Sequence, residues 1–342
     1  MWGTNARNAH PIFFHHVLKG IDNGARSWTV DPRRTGTAKF TDSWLGLDVG
    51  TDIALAHGVA REIIHAGLTD DEFIRNATTG YEEFVAFVES WTLERTAEVT
   101  GVPTEAIRDL AHGYASAPTA QICWTLGITE HHTGVDNVQA LCNLALLTGH
   151  VGRRGSGLVP LRGQNNVQGG GDMGALPNKL TGFQDVEDDE VRAKFEGAWD
   201  CEIPATNGWN LTEMFEAMER DELKAVYCIG ENPADSEADV KHARAMLERL
   251  DVLVVQDVFL TRTAQMADVV LPAALGWAES DGTVTNSERR VQRMRAAIPP
   301  PGEARQEIGI INDLAAQMGD GGWGNPTAEE LWEELRTVSP MH

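Results

Sequence analysis

Apolar positions along this chain follow two rhythms, short strand-length runs and longer stretches with a period near 3.6, and their alternation predicts an α/β fold. The helical rhythm predicts helices over residues 12–21, 53–66, 81–89, 104–115 and 136–147, with Pro103 suited to the first turn of the fourth. Strand-length runs lie between them at 28–30, 44–47 and 120–124. The pattern breaks at residues 151–182, which hold nine glycines and few periodic apolar positions. A loop of that length is uncommon and usually carries function. Beyond it, short helices lead to strands at 225–229 and 252–256, joined by a helix whose expected cap is Ser236 with Asp239 three positions on. A strand at 267–271 and a helix near 306–318 follow.

Two stretches repeat one plan. An apolar strand end opens on a Gly-x-Asn turn at Gly3-Thr4-Asn5 and again at Gly230-Glu231-Asn232, and a helix follows each. The next strand ends in an acid, Asp31 in the first copy and Asp257 in the second, 28 residues after Gly3 and 27 after Gly230. Eleven residues past each acid comes another, Asp42 and Asp268, before an apolar pair. In an open α/β sheet, ligands lie outside the carboxyl ends of parallel strands, where a glycine turn brings backbone N–H groups to a phosphate and a strand-end carboxylate accepts from a sugar hydroxyl or a purine amino edge. Turns also require Gly, Asn and Asp for conformational reasons alone, which would explain one copy. Two copies with matched spacing favour a pair of similar nucleotide sites.

With 342 residues the chain exceeds the size at which one core usually divides, so two domains are expected, residues 1–163 and 164–342. Its formal charge of -23 excludes a nucleic-acid surface, which needs a basic footprint. Only six of 28 basic residues are Lys, and this with the acid excess resembles the surface of a halophile's protein; a GC-rich genome would explain the Arg preference but not the acids. No apolar stretch is long enough for membrane insertion, and residues 1–5 have neither a basic nor an apolar leader character, so a cytoplasmic setting is expected.

Cys123, Cys142, Cys201 and Cys228 form no C-x-x-C pair, and the adjacent pairs His15-His16 and His131-His132 point in different directions, so no metal ligands are assigned. The densest chemistry lies in the long loop, Leu161-Arg162-Gly163-Gln164-Asn165-Asn166-Val167-Gln168 followed by three glycines. Arg162 either clamps a small carboxylate through two parallel hydrogen bonds or pairs with a neighbouring acid, and residue chemistry alone leaves the two balanced.

At this loop the chain resembles the catalytic subunit of formate dehydrogenases in the molybdopterin oxidoreductase family. The resemblance runs through Asp31-Pro32-Arg33-Arg34-Thr35, Gly50-Thr51-Asp52, Gly127 to His131, Asp136-Asn137, the 161–178 run, Gly230-Glu231-Asn232-Pro233, Gln256-Asp257, Thr261 to Ala264 and Leu271-Pro272, in order. It implies two doubly wound domains with mainly parallel sheets, related by a pseudo-twofold, the second carrying the C-terminal helices. Each would hold one of two molybdopterin guanine dinucleotides around a single molybdenum or tungsten. By the same resemblance Asn5, Asp31, Arg33 and Asp52 contact one dinucleotide, and Gly230, Glu231, Asn232, Gln256, Asp257 and Thr261 the other. Arg162 aligns with the family's active-site arginine, which holds the formate carboxylate, and Gln164 and Asn165 line the pterin side. Formate would lose two electrons and a proton to leave carbon dioxide, with an iron–sulfur subunit as electron-transfer partner.

The chain also departs from the family pattern. The cysteine or selenocysteine that ligates the metal, its neighbouring histidine and the 4Fe-4S domain belong upstream of Met1 in that pattern, and the closing barrel belongs beyond His342. The chain therefore reads as the central part of a larger or split subunit, with its first domain incomplete at its start and lacking a sheet partner there. A related bis-pterin oxidoreductase acting on nitrate or another small oxyanion, or a cofactor-binding half without catalysis, are the alternatives.

Overall fold

The computed structural model describes residues 1–342, which separate into two compact units, Met1–Gln164 and Asn165–His342. In the first, strands Trp28–Val30 and Ser43–Leu45 pair in parallel, as do Gln121–Trp124 and Gly157–Pro160. The Met1–Gly3 segment joins these pairs into one sheet: Trp2 bridges Val30 on one side and Trp124 on the other, both parallel. Its amino group donates to the Trp28 carbonyl (2.8 Å), Val30 N–H to Met1 O (2.9 Å), Trp2 N–H to Cys123 O (2.8 Å) and Gly3 N–H to Val30 O (2.9 Å). The expectation that this domain lacks a sheet partner at its start is thereby corrected, because the segment is itself the central strand. Counting it first, the strands lie in the order 3-2-1-4-5, the doubly wound arrangement with its switch point between Trp2 and Trp124.

One face of this sheet carries Trp2, Val30, Leu45, Ile122 and Trp124 into a core shared with Leu55, Val59, Ile63, Ile107, Leu141 and Leu144. Those residues come from helices Asp52–His65, Thr104–Ala115 and Gly134–Leu147, so the 3.6 period does bury the faces it predicts. Each such Leu or Ile contributes about 1.5–3 kcal/mol by leaving water. Two of the helices outside the expected set are defined by their caps. Asp71–Ala77 is capped by Asp70, and Leu93–Thr100 opens on Thr92 and closes on Gly101 at φ 72°. In both, polar caps rather than a long apolar stripe define the element.

The second unit has a three-stranded parallel sheet, Ala225–Ile229, Val252–Asp257 and Val269–Pro272 in spatial order. Its core joins Cys228, Leu253 and Val255 to Phe215 and Met218 of helix Leu211–Glu219 and to Ala243, Met246 and Leu247 of helix Val240–Leu247. That last helix is capped by Asp239, whose carboxylate accepts from His242 N–H; Ser236 ends a preceding one-turn helix, Pro233–Ser236, and is not the cap. A hairpin of Gly282–Thr285 with Val291–Met294 and the helices Asp189–Trp199, Glu307–Gln317 and Ala328–Val338 complete the unit. The 151–182 stretch is less irregular than its composition suggests, since it includes strand Gly157–Pro160 and helix Val167–Asp172. No helix in either unit is long and apolar enough to cross a membrane.

Candidate functional site

The two Gly-x-Asn turns match bond for bond. Gly3 and Gly230 both take left-handed backbone, φ 57° and 65°, and each donates its N–H to the carbonyl of the residue before the strand-end acid, Val30 O and Gln256 O, at 2.9 Å. Asn5 Oδ1 accepts from the N–H and hydroxyl of Thr37, both 3.2 Å. Asn232 Oδ1 accepts from the same two groups of Thr263, 3.1 and 2.8 Å. Each threonine hydroxyl accepts in turn from the turn that follows the glycine, Arg7 N–H at 3.0 Å and Ala234 N–H at 3.1 Å.

The strand-end acids are equally alike. Asp31 Oδ1 accepts from Arg33 N–H (2.8 Å) and Asp257 Oδ1 from Phe259 N–H (2.9 Å), closing an Asx turn that bends the chain out of the sheet. The next residues repeat again: Thr35 caps Ala38 N–H, and Thr261 caps Ala264 N–H. Even the second acids correspond, with Asp42 accepting from Ser27 N–H and Asp268 from Leu253 N–H at the strand starts. A duplicated backbone plan, rather than turn propensity alone, explains the spacing in the sequence.

Two corrections concern how these turns meet a ligand. The helix after each turn is a single turn long, Ala6–Ala9 and Pro233–Ser236, so it has little macrodipole to offer a phosphate. Within those turns the N–H groups of Arg7 and Ala234 are already engaged by threonine. Asn5 and Asn232 shape the turn through Oδ1, and Asn232 Nδ2 is also taken, by Asp235 at 3.1 Å. The strand-end carboxylates keep the second oxygen, and that atom is the acceptor each site presents.

The glycines answer different demands. A Cβ on Gly3 would lie 2.7 Å from the Gly127 backbone, and one on Gly127 2.5 Å from Gly3 O, so the switch point of the first sheet closes only with glycine on both sides. Gly230 has open space where its Cβ would point. Gly230 lines a cleft of about 500 Å³ together with Glu231, Asn232, Gln256, Asp257, Phe259, Thr261, Ala274 and Glu307. Glu231 is held there by Asn232 N–H and the Ser236 hydroxyl.

Buried polar atoms without partners mark both places. Gln256 is fully buried and its Oε1 accepts from the Tyr227 hydroxyl, while its Nε2 donates to nothing. In the first unit Thr4 Oγ1, 2% exposed, is likewise unpartnered. A buried donor left unmade costs about 1–3 kcal/mol, and Gln256 carries its unmade donor among the residues lining the cleft. Asp52 sits at the same end of the first sheet and accepts from the Trp2 indole at 2.8 Å. Burial pushes its carboxyl above the usual range; the Trp2 hydrogen bond and His131 pull back, and nearby Asp31 adds to the rise.

Arg162 follows strand Gly157–Pro160, whose register continues through Leu161 N–H to Trp124 O at 2.9 Å. Its guanidinium is exposed and takes part in no ion pair, although acids outnumber bases 51 to 28. Of the two uses the residue chemistry allowed, pairing with a neighbouring acid does not occur within the chain. Gln164 and Asn165 are exposed, whereas Asn166, at φ 68°, is tied to Thr283 O and Thr285 N–H. The four cysteines are free, and no group of three or more His, Cys, Asp or Glu is placed to hold a metal ion. Sequence reasoning assigned no role to the Thr35, Thr37 and Thr263 hydroxyls, nor to His10, whose Nε2 lies 2.7 Å from the Arg162 carbonyl.

Comparison with known proteins identifies the family. Residues 1–317 match the family described as molybdopterin oxidoreductase. The chain is 44% identical over 344 residues to the F420-dependent formate dehydrogenase 2 subunit alpha of Methanococcus maripaludis, covering 100% of this chain and 50% of that protein. It is 39% identical over 341 residues to formate dehydrogenase H of Escherichia coli, covering 99% and 47%. The chain thus spans about half the length of the curated relatives it matches. Among solved structures, acetylene hydratase from Pelobacter acetylenicus shares the fold, with a TM-score of 0.75 at 24% identity over 98% of this chain and 50% of that one.

Proposed function

The chain belongs to the molybdopterin oxidoreductase family, and from that premise we propose that it supplies the two dinucleotide cradles and the substrate arginine of a cytoplasmic formate dehydrogenase. The observation that carries this reading is the duplicated cradle, each copy with a strand-end carboxylate and an unpartnered buried polar atom, in a chain whose loop arginine has no acid to neutralise it.

We assign one molybdopterin guanine dinucleotide to each cradle. Asp31 and Asp257 accept ring or sugar donors through their free oxygen, and Gln256 Nε2 donates to the second nucleotide. Thr4, Arg33 and Asp52 complete the first contact set; Gly230, Glu231 and Thr261 complete the second. Asn5 and Asn232 act from behind by fixing the turns. When bound, the molybdopterin-held molybdenum or tungsten supplies two-electron acceptor chemistry. Arg162 binds the formate carboxylate through paired charge-assisted hydrogen bonds and thereby sets the direction of its C–H bond. Formate leaves as carbon dioxide after losing two electrons and one proton, and an iron–sulfur subunit carries the electrons away. Gln164 and Asn165 present amides on the pterin side.

Assay of the assembled enzyme with formate and with nitrate tests the reading. Formate-dependent reduction of an artificial acceptor is expected, and Arg162→Gln lowers kcat/KM for formate on the order of 100-fold as two charge-assisted hydrogen bonds are lost. Turnover of nitrate alone, or of neither anion by a cofactor-loaded enzyme, would overturn it.

A further inference from the structure

We propose that His10 is the positioning residue for Arg162, coupling the first glycine turn to the guanidinium that binds substrate; the proposal rests on the formate reading of that arginine. Between the last strand bond at Leu161 N–H and the helix that begins at Val167, residues 162–165 make one hydrogen bond within the protein, from His10 Nε2 to the Arg162 carbonyl at 2.7 Å. A carbonyl only accepts, so Nε2 carries the hydrogen. The other ring nitrogen, Nδ1, is buried and has no partner. The ring is therefore committed to a single contact 152 positions away in sequence.

His10 is well placed for this task. It closes the one-turn helix Ala6–Ala9 and immediately precedes the Pro11–Asp22 helix, with Pro11 fixing the next φ. The Asn5–Thr37 bonds lock the turn just before it. The carbonyl of Arg162 is thus referred to the frame that holds the first dinucleotide, not to the free loop. The second copy shows that the fold does not require a histidine here. At the matching position stands Glu237, whose N–H bonds Pro233 O as His10 N–H bonds Ala6 O, and whose side chain makes no corresponding contact.

Side-chain length separates positioning from general packing. In Gln the amide nitrogen reaches the place of His Nε2, whereas in Asn it stops near Nδ1. His10→Gln, His10→Asn and His10→Ala are compared in the assembled enzyme by hydrogen exchange of the Leu161 N–H, whose bond to Trp124 O borders the Arg162 carbonyl, and by formate KM and kcat. Asn and Ala are expected to speed exchange there, and to raise formate KM, about tenfold each, the effect of one hydrogen bond, with kcat changed less. Gln is expected to restore both. Exchange and KM at the wild-type value in His10→Asn, or equal damage in folded His10→Gln and His10→Asn, would overturn the proposal. If the wild-type enzyme does not oxidise formate, the functional reading fails, while exchange still decides whether His10 holds the loop.

Discussion

Replacing Thr263 by Val tests the duplicated turn, because the two side chains have nearly the same shape and only the hydroxyl is lost. Thr263 is fully buried; its hydroxyl donates to Asn232 Oδ1 at 2.8 Å and accepts from Ala234 N–H at 3.1 Å. Valine removes both bonds, each worth about 1 kcal/mol net, and strands the N–H of Ala234, itself fully buried. The combined loss is about 2–3 kcal/mol, roughly a 30- to 160-fold rise in the local opening equilibrium. Thr263→Ser keeps the hydroxyl and loses one methyl, costing about 1 kcal/mol. Native-state hydrogen exchange over residues 230–240 reads the difference without assuming that two units unfold as one. The matching Thr37→Val should cost less, about 1–2 kcal/mol, since the N–H it strands belongs to exposed Arg7. Wild-type exchange in Thr263→Val, or Thr263→Ser as damaging as Val, would refute the reasoning.

Other outcomes follow from the same structure. Gly127→Ala should lower the melting temperature more than Gly230→Ala, although only Gly230 has positive φ: a Cβ at Gly127 meets Gly3 backbone at 2.5 Å, while Gly230 pays only the left-handed penalty of about 1–2 kcal/mol. Equal melting shifts would count against the close switch point. His57 is buried against Phe84, Phe87 and Trp91, and burial holds its pKa below the ordinary value of 6.5. Unfolding therefore takes up a proton, so stability it contributes above pH about 6.5 drains away as pH falls. His57→Leu should flatten the acid limb of the first unit's melting curve, and an unchanged limb would assign that limb to other groups. The -23 charge predicts that raising KCl from about 0.1 M to 1 M raises the melting temperature through screening, and a fall would contradict the halophile reading.

Legibility in the sequence followed how locally each feature is determined. Strand-end acids, the Asp42 and Asp268 strand caps and the Gly-x-Asn turns were readable because each residue satisfies a backbone group within its own short segment or adjacent strand. The Thr37 and Thr263 hydroxyls were not, because a threonine in a polar turn looks alike whether it faces water or ties two turns some 31 positions apart. His10 escaped for the same reason at greater range. The first strand of the sheet was missed as paired because only Trp2 bridges, and pairing on both sides is a tertiary fact. Arg162 was legible as chemistry through its amide-rich neighbours, but the absence of an acid partner required coordinates.

Whether each unit grips its own nucleotide is decided by counting guanine nucleotide released by mild acid from the purified, metal-loaded enzyme. Two per copy of this chain are expected, falling to one in Asp257→Ala that still folds. One per chain in the wild-type enzyme, or none, would contradict the paired cradles.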